Sequence, residues 1–475
     1  MRASLVALLC LCSLAACGGV TAAGGGILAP RVSEGQEIRA GQRAARESAR
    51  TLGLVADQAL QDYVQQVGVR LAAGSERSQL PWTFRVVDDP MPNAFALPGG
   101  FVFVTRGLLG VLNSEAELAD VLAHEIGHVN ARHGVQALGR QAGAQLGVWA
   151  VPVAELRSLD GAAAAGAGLL FVEHAADAER QADDLGFRYM LAAGYDVREA
   201  ADVFAALARL EAVGGRSALP SWLTSHPDPG DRAEAAARRA GAVREPLDSL
   251  RQNRFEYLDQ IEDLVYGQDP RQGFFRGATF IHPELRFRLQ LPSGWRSRNL
   301  AQAVVATSPG RDAAIQLTIV EQVSLAEAAE RFLGQPGVSA TGDVATETVS
   351  DNLAVFVPFR AATGVGNAAG VAAWIAYGGR TYQLVGVAVS PAANGHVETF
   401  GEALRSFGPV TDARLLDVRP NRINIVRLGR PTTFEDFNRR YPSAIDAEEV
   451  ALLNRVSGPR TRLRAGGRMK RVVKG

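Results

Sequence analysis

Apolar residues recur at helical spacing early in the chain. Leu60, Tyr63, Val64, Val67 and Leu71 fall on one face, and the pattern predicts a helix from about Arg39 to Ala73 with that face toward a core. A strand is expected at Trp82–Val87, ended by the breaker Asp88-Asp89-Pro90-Met91-Pro92. Two extended runs, Asn93–Leu97 and Phe101–Thr105, flank Pro98-Gly99-Gly100, which reads as a tight turn. Ser114 with Glu117 three residues on has the form of a capping box, so a long helix should start there and run to about Gly139. Leu118, Val121, Leu122, Ile126 and Val129 give that helix apolar faces. Further helices are expected over Glu173–Ala193 and Val197–Val213, then a loop over Gly214–Pro229 and a short Ala/Arg-rich helix to Arg239.

Past Pro246 the pattern changes. A linking helix, Leu250–Tyr266, leads to β-like runs at Phe287–Leu291, Ala313–Val320, Leu353–Pro358, Val371–Tyr377 and Thr381–Val389, with helices near Leu325–Leu333 and Val397–Phe407. From about Arg419 a third pattern appears: Ile423–Leu428, Thr432–Tyr441, Glu448–Arg455 and Met469–Val473 give a strand, two helices and a strand. The chain is therefore expected to be multidomain. A mainly α domain with a small β-sheet fills residues 36–245, a linker helix 246–272, an α+β module 273–412, and a small βααβ module with a basic tail 413–475.

Composition adds limits. Hydrophobic residues make up 47% and charged residues 21%, which excludes wholesale disorder. Fifty basic residues balance fifty acidic ones, so no nucleic-acid partner is expected. The balance is uneven along the chain, because eight Arg or Lys and no acid lie beyond Ala451. At the N-terminus Arg2 precedes a short apolar stretch, Ala3 to Ala16, too short to span a bilayer. Leu14-Ala15-Ala16-Cys17 resembles a bacterial lipobox. That likeness implies a signal peptide over 1–16, a lipid on Cys17, and a flexible Gly/Ala-rich tether over 17–35. With Gly18 rather than Asp after the cysteine, the expectation is a periplasmic protein anchored to the outer membrane. Cys10 and Cys12 lie in the removed segment, so no intramolecular disulfide can form.

The strongest chemical signal is His124-Glu125-Ile126-Gly127-His128. Positions i and i+4 of a helix share a face, so both imidazoles can reach one ion. Zinc takes neutral histidine nitrogens, and Glu125, about 100° round the helix, is placed to act as general base on a water rather than as a ligand. Glu179 and Asp183 share a face of the following helix. Glu179 is the candidate third ligand and Asp183 the acceptor for the outer N–H of a ligand histidine. The competing reading is two solvated acids on a helix that also carries Asp177 and Asp184.

These pieces together resemble the HtpX-like and CAAX-prenyl-protease gluzincin metallopeptidases, metallopeptidase family forty-eight. The likeness rests on Asn93–Gly100, Thr105-Arg106-Gly107-Leu108-Leu109, His124–His128 with Arg132-His133, Glu179–Asp183 with Gly186, and Ser225-His226-Pro227 with Arg232. The resemblance implies a mostly helical gluzincin fold over about 35–240, one zinc ion per chain and endopeptidase activity on polypeptides. Without membrane-spanning segments, it points to the periplasmic branch of BepA-type lipoprotein proteases, which act on misfolded or misassembled envelope proteins. The chain shows no 34-residue repeat of the kind those proteins usually carry. His226 is open between an extra ligand that silences the enzyme, a catalytic stabiliser of the oxyanion, and a residue that orders its loop. His133 and His174 read as structural. Asn93, Ala94, Phe95, Ala96 and Leu97 form the candidate substrate-binding edge strand, against a buried hairpin.

Two weaker likenesses lie downstream. Leu289–Trp295 resembles the start of PsbP/Mog-like domains. Leu428–Phe434, Leu452–Val456 and Arg464–Gly467 are similar to segments of LysM modules, which implies peptidoglycan as a partner or, with recognition lost, a docking domain. The functional alternatives to an envelope endopeptidase are a wall-tethered adaptor or chaperone with a silenced metal site, and a peptidoglycan-directed metallohydrolase.

Overall fold

The computed structural model describes residues 32–136, 176–214, 226, 229–244, 249–320, 323–363, 366–389 and 392–475. The signal peptide, Cys17, most of the tether, His174, Ser225 and Pro227 lie outside the described residues. Among the described residues no helix is long and apolar enough to cross a membrane.

The expected single helix at the start is two. Helix α1 spans Glu34–Leu52 and α2 spans Gln58–Ala72. Gly53 takes a left-handed turn (φ +71°) that ends α1. Asp57 then caps α2 by accepting the Leu60 N–H. Between them Val55 donates to the Val86 carbonyl, so the chain is drawn onto the sheet instead of continuing as helix. The face predicted from Leu60, Val64, Val67 and Leu71 is buried.

The sheet beside it has the order β1-β3-β2, with β1 Thr83–Val87 parallel and β2 Ala94–Leu97 antiparallel to β3 Phe101–Thr105. Helices α3 (Arg106–Val111) and α4 (Glu115–Asn130) follow at once. Ser114 accepts the Glu117 N–H as its spacing predicts, while the Glu117 carboxylate reaches back to the Asn113 N–H. Helix α4 is buried from Leu118 through Val129, save for half-buried Asp120. It stops nine residues short of the predicted Gly139, because Ala131 and Arg132 turn, with Arg132 left-handed (φ +59°), before a helical course resumes over 133–136.

That turn is fixed by charge. Glu37 of α1 is 1% exposed and pairs with both Arg132 (2.9 Å) and Arg77 (2.9 Å), while accepting the Gly99 N–H. Arg77 also donates to the Val129 carbonyl, and its N–H goes to Asn130 Oδ1, so the last turn of α4 is capped from outside. The left-handed Arg132 costs about 1–2 kcal/mol, which these paired and buried contacts offset. Helices α5 (Ala176–Ala192) and α6 (Glu199–Gly214) pack against α4, and α7 (Pro229–Gly241) packs on α6.

The expected linker helix over Leu250–Tyr266 is helical only as α8, Arg254–Gln260. Beyond Ile261 the chain becomes a strand partner: Leu264 accepts the Ile423 N–H and Tyr266 donates to Asn421. Residues 274–409 form the α+β part. Strands β4 (Phe274–Arg276), β5 (Thr279–His282) and β6 (Phe287–Gln290) make a small sheet with β15 (Gly408–Pro409). Strands β7 (Arg296–Asn299), β8 (Ala303–Thr307), β9 (Ala313–Val320), β10 (Val338–Ala340), β11 (Ala345–Val349), β12 (Asn352–Thr363), β13 (Gly366–Tyr377) and β14 (Arg380–Val389) make a larger one, ordered β10-β12-β13-β14-β9-β8-β7 with β11 on β12. One face packs on α9 (Leu325–Leu333) through Phe332, Phe359 and Trp374. The other packs on α10 (Val397–Arg405) and the small sheet through Phe287, Tyr382, Phe400 and Phe407.

The last segment keeps the expected element order: β16 (Asn421–Arg427), a short β17 (Thr432–Thr433), α11 (Phe434–Arg440), α12 (Ala447–Leu453), a short β18 (Arg462–Leu463) and β19 (Arg468–Lys474), with β16 antiparallel to β19. The basic tail is not free. Lys470 of β19 is fully buried, and its three N–H bonds go to the carbonyls of Gly110, Val111 and Leu112 at the end of α3. Arg455 makes a bidentate pair with Glu117 (2.5 and 2.6 Å) in the first turn of α4, and Asn113 donates to the Leu453 carbonyl. Ile423 sits in the same core as α2 and α4. The C-terminal module is thus welded to the start of the helix that carries the His-Glu-x-x-His motif.

Two predictions follow from these packings. Burial pushes the Glu117 carboxyl up to about 7 against the pull of Arg455. Arg455→Met strands it without its cation, at a cost of about 3–5 kcal/mol; thermal unfolding should show a lower Tm, largely restored in the Glu117→Gln/Arg455→Met double variant. A single variant as stable as the parent would refute the clamp. In the α+β part, burial and then Arg380 lower His282 to about 4, and its Nδ1 accepts the Leu285 N–H. The folded state thus prefers neutral His282. Its contribution is full above the unfolded value of about 6.5 and is lost as pH falls through about 4. His282→Asn keeps an acceptor without titrating, so its Tm should decline less steeply than the parent's between those values.

Candidate metal centre

The centre is built where α4 and α5 cross. Helix spacing puts His124 and His128 one turn apart on α4, and Glu179 and Asp183 one turn apart on α5. The two helices can approach because both are glycine at the crossing. A Cβ on Gly127 would lie 2.8 Å from the Ala182 carbonyl oxygen, and one on Gly186 would lie 3.1 Å from the His124 nitrogen. His226 reaches in from the segment ahead of α7.

His124, His128, Glu179 and His226 are all buried, and one ligand atom from each lies within 4.8 Å of the others. His124 Nε2 and His128 Nε2 are 2.9 Å apart, and Glu179 oxygens are 3.4 and 3.3 Å from them. His226 Nδ1 is 2.9 Å from Glu179 Oε2 and 3.2 Å from His124 Nε2. All three predicted ligands are brought together, and the solvated-acid alternative for Glu179 and Asp183 fails, since Glu179 is buried and Asp183 nearly so.

The outer nitrogens decide the tautomers. His124 Nδ1 is 2.9 Å from Asp183 Oδ1, a pure acceptor, so the proton sits on Nδ1. Arg232 grips the same carboxylate with two bonds, Nε to Oδ2 (3.0 Å) and Nη2 to Oδ1 (2.6 Å). It lies 3.2 Å from Glu179 and stacks on Phe204 at 4.4 Å. His128 Nδ1 is 2.9 Å from His133 Nδ1, whose own Nε2 faces Gln181 Oε1 at 3.1 Å.

With both outer nitrogens protonated, the lone pairs of His124 and His128 Nε2 point at each other across 2.9 Å beside a buried carboxylate. Such an arrangement repels itself unless a proton or a metal cation sits between the donors. Two neutral imidazoles and one carboxylate form the donor set that suits zinc.

The charge balance agrees. Burial alone would raise Glu179 and Asp183. His226, His124 and His128 around the first, and His124 with Arg232 around the second, outweigh it and hold both carboxyls well below their usual range. Burial and Arg232 oppose charge on His124, but its bonds to Asp183 and Glu179 lift it to about 9. The centre demands positive charge. Glu125 differs from Glu179: burial raises it, with His226 and His124 offsetting only part. Among the described residues its buried Oε1 accepts no hydrogen bond, and His226 Nε2 is 3.5 Å away.

The expected substrate strand is at a sheet edge, since among the described residues no strand pairs with the outer side of β2. Its side chains are not exposed: Asn93, Ala94, Phe95 and Leu97 are buried and Ala96 half-buried. Only the backbone remains for recognition. The Thr105 N–H bonds to the Asn93 carbonyl. By antiparallel alternation the Ala96 N–H therefore points away from β3, toward the open edge.

Sequence reasoning missed two groups. Arg232 was legible only as part of a motif, because the contact with Asp183 spans 49 residues. His133 lies out of phase with the ligands on an unbroken helix, and only the turn at Arg132 returns it to His128.

Known proteins bear on this geometry. Residues 58–240 match the model of peptidase family M48. The chain is 31% identical over 252 residues to a putative beta-barrel assembly-enhancing protease of Vibrio cholerae, covering 49% of this chain and 51% of that protein. It is 29% identical over 224 residues to the beta-barrel assembly-enhancing protease of Escherichia coli K12, covering 45% of each. The mitochondrial metalloendopeptidase OMA1 of Arabidopsis thaliana is 33% identical over 179 residues, covering 37% of this chain and 35% of that one. The chain spans about half the length of the curated bacterial relatives it matches. A solved structure of cyanobacterial PsbP from Synechocystis covers 28% of this chain and 94% of its own at 13% identity, with a TM-score of 0.24, too low to bear on the fold.

Proposed function

We propose that the protein, whose residues 58–240 match the model of peptidase family M48, is a zinc metalloendopeptidase of the bacterial cell envelope. The observation that carries the reading is the convergence of His124 Nε2, His128 Nε2 and Glu179 in a buried centre whose outer bonds turn the lone pairs inward. When bound there, zinc supplies a Lewis acid that polarises a carbonyl and makes a water acidic near neutral pH. The remaining work falls to side chains. Glu125, with its raised carboxyl and an Oε1 that accepts no hydrogen bond among the described residues, takes the proton of the attacking water and delivers it to the leaving amine. Asp183, held by Arg232, keeps the His124 ring in its tautomer and orientation. The outward Ala96 N–H, with the rest of the β2 edge, binds the substrate backbone as an added strand.

His226 supports two readings. Its Nε2 lies beside Glu125, where a donor would steady a tetrahedral oxyanion. Its Nδ1 lies among the ligand atoms, where it would complete a fourth contact and hold the enzyme silent, as in an adaptor or chaperone. The alternative of a peptidoglycan-directed metallohydrolase has only the LysM likeness behind it.

The setting extends the proposal. Residues 1–16 are a lipoprotein signal peptide, Cys17 carries the lipid, and the protein works on the periplasmic face of the outer membrane; the lipobox-like Leu14–Cys17 supports this. Misfolded or misassembled envelope proteins are the substrates, in keeping with the similarity to beta-barrel assembly-enhancing proteases. The C-terminal module, residues 413–475, is LysM-like in element order, and peptidoglycan is its partner.

Three variants test the reading on the protein lacking residues 1–17. Glu125→Gln should keep one zinc per chain and lose casein cleavage by about 10²-fold or more; cleavage at the parent rate would end the proposal. His226→Ala should raise cleavage if the residue silences the site and lower it if it steadies the oxyanion. Ala96→Pro removes an outward N–H from an edge strand without breaking the ladder, so cleavage should fall while zinc content and Tm hold. Normal cleavage by that variant would exclude strand addition at β2.

A further inference from the structure

Each ligand histidine of a metal centre needs an acceptor for its outer N–H, and that acceptor sets ring tautomer, orientation and basicity. His124 has Asp183. Behind His128, Nδ1 of His133, 4% exposed, lies 2.9 Å from His128 Nδ1. The two rings are edge to face, 5.0 Å between centroids and 71° between planes.

Two imidazole nitrogens at that distance make a hydrogen bond only if one carries the proton and the other does not. His128 must present its Nε2 lone pair inward, so its proton is on Nδ1 and His133 Nδ1 accepts. His133 must then hold its own proton on Nε2, and Nε2 faces Gln181 Oε1 at 3.1 Å. The protons are directed in one line, from His128 to His133 to Gln181. Gln181 is on α5, two residues after Glu179, so the line ties the second ligand of α4 to the helix that supplies the third.

We propose that His133 is a positioning residue of the metal centre, accepting from His128 Nδ1 and held in the required tautomer by Gln181. The inference rests on His128 being a zinc ligand. It gives a purpose to the turn at Ala131–Arg132. On a continuous helix a residue five positions on would lie roughly 140° round from His128. The left-handed Arg132, anchored by Glu37, turns the chain so that the His133 ring comes back onto the ligand. A neutral acceptor at this place also avoids a further carboxylate beside Glu125, Glu179 and Asp183. Negative charge there would raise the cost of burial already borne by those three.

The test measures zinc affinity by competition with a chromophoric chelator, on the protein lacking residues 1–17, with the Tm of each metal-free protein as the control for folding. His133→Phe fills the space without an acceptor and should weaken zinc about 10- to 100-fold. His133→Asn offers an Oδ1 acceptor and should recover most of that loss. Gln181→Leu, at an exposed position, frees the His133 tautomer and should weaken zinc several-fold with metal-free Tm unchanged, whereas Gln181→Glu should hold or tighten it. His133→Phe binding zinc within twofold of the parent would overturn the proposal. So would equal losses in the Phe and Asn variants, which would mark His133 as packing only. If His133→Phe does not fold, unchanged affinity in Gln181→Leu overturns the relay. A parent protein that binds no zinc would instead overturn the metal centre itself, a separate outcome.

Discussion

The site depends on the closeness of two helices. Zinc-type ligation needs Glu179 of α5 within about an ion's reach of two histidines on α4, and ordinary side chains at the crossing would hold the axes apart. Gly127 and Gly186 remove the obstruction from both sides, at the points where a Cβ would meet the partner backbone. Glycine in a helix interior costs roughly 1 kcal/mol relative to alanine. Here that cost is repaid in geometry, since the facing turn carries the ligands. The Gly of His124-Glu125-Ile126-Gly127-His128 is therefore part of the centre although it touches no ligand atom.

Bringing the helices together creates an electrostatic difficulty that the surroundings resolve. Glu125, Glu179 and Asp183 share one nearly dry space with three imidazoles. Burying carboxylates is costly unless each is paired. Asp183 is neutralised by Arg232 and by the proton of His124, and Glu179 by the histidines about it. Glu125 alone is left with burial as its dominant influence, so two glutamates 54 positions apart acquire opposite tendencies in one cavity. One is kept ionised beside the histidines and the other is made more basic, a division set by neighbours and not by residue type.

Helix α4 is also held at both ends. At its start Arg455 and Asn113 join it to the C-terminal module, and Lys470 ties the same module to the end of α3. At its finish Glu37, Arg77 and Arg132 replace the missing helical partners and bend the chain. A helix fixed at both termini keeps its clustered histidines within the narrow tolerance a candidate metal centre needs. The stretch whose pattern resembles a glycan-binding module, Leu452–Val456, is the stretch that reaches α4.

The sequence by itself determined what local chemistry controls. The His-Glu-x-x-His spacing, the i and i+4 acids, the Ser114 cap, the core face of α2 and the strand-helix-helix-strand order of the last segment follow from periodicity and short-range bonds, which act within a turn or two. Element ends were less legible. The break at Gly53, the stop at Asn130 and the early end of α8 arise because Val86, Glu37 and Ile423 compete for the backbone or side chains from far along the chain. Only the tertiary structure decided that Arg232 clamps Asp183, that His133 stands behind His128, that β2 is an edge with buried side chains, and that the basic tail is a docked strand. Each of these is a contact between residues close in space and mostly distant in sequence, or one restored by a left-handed turn that no helical periodicity encodes.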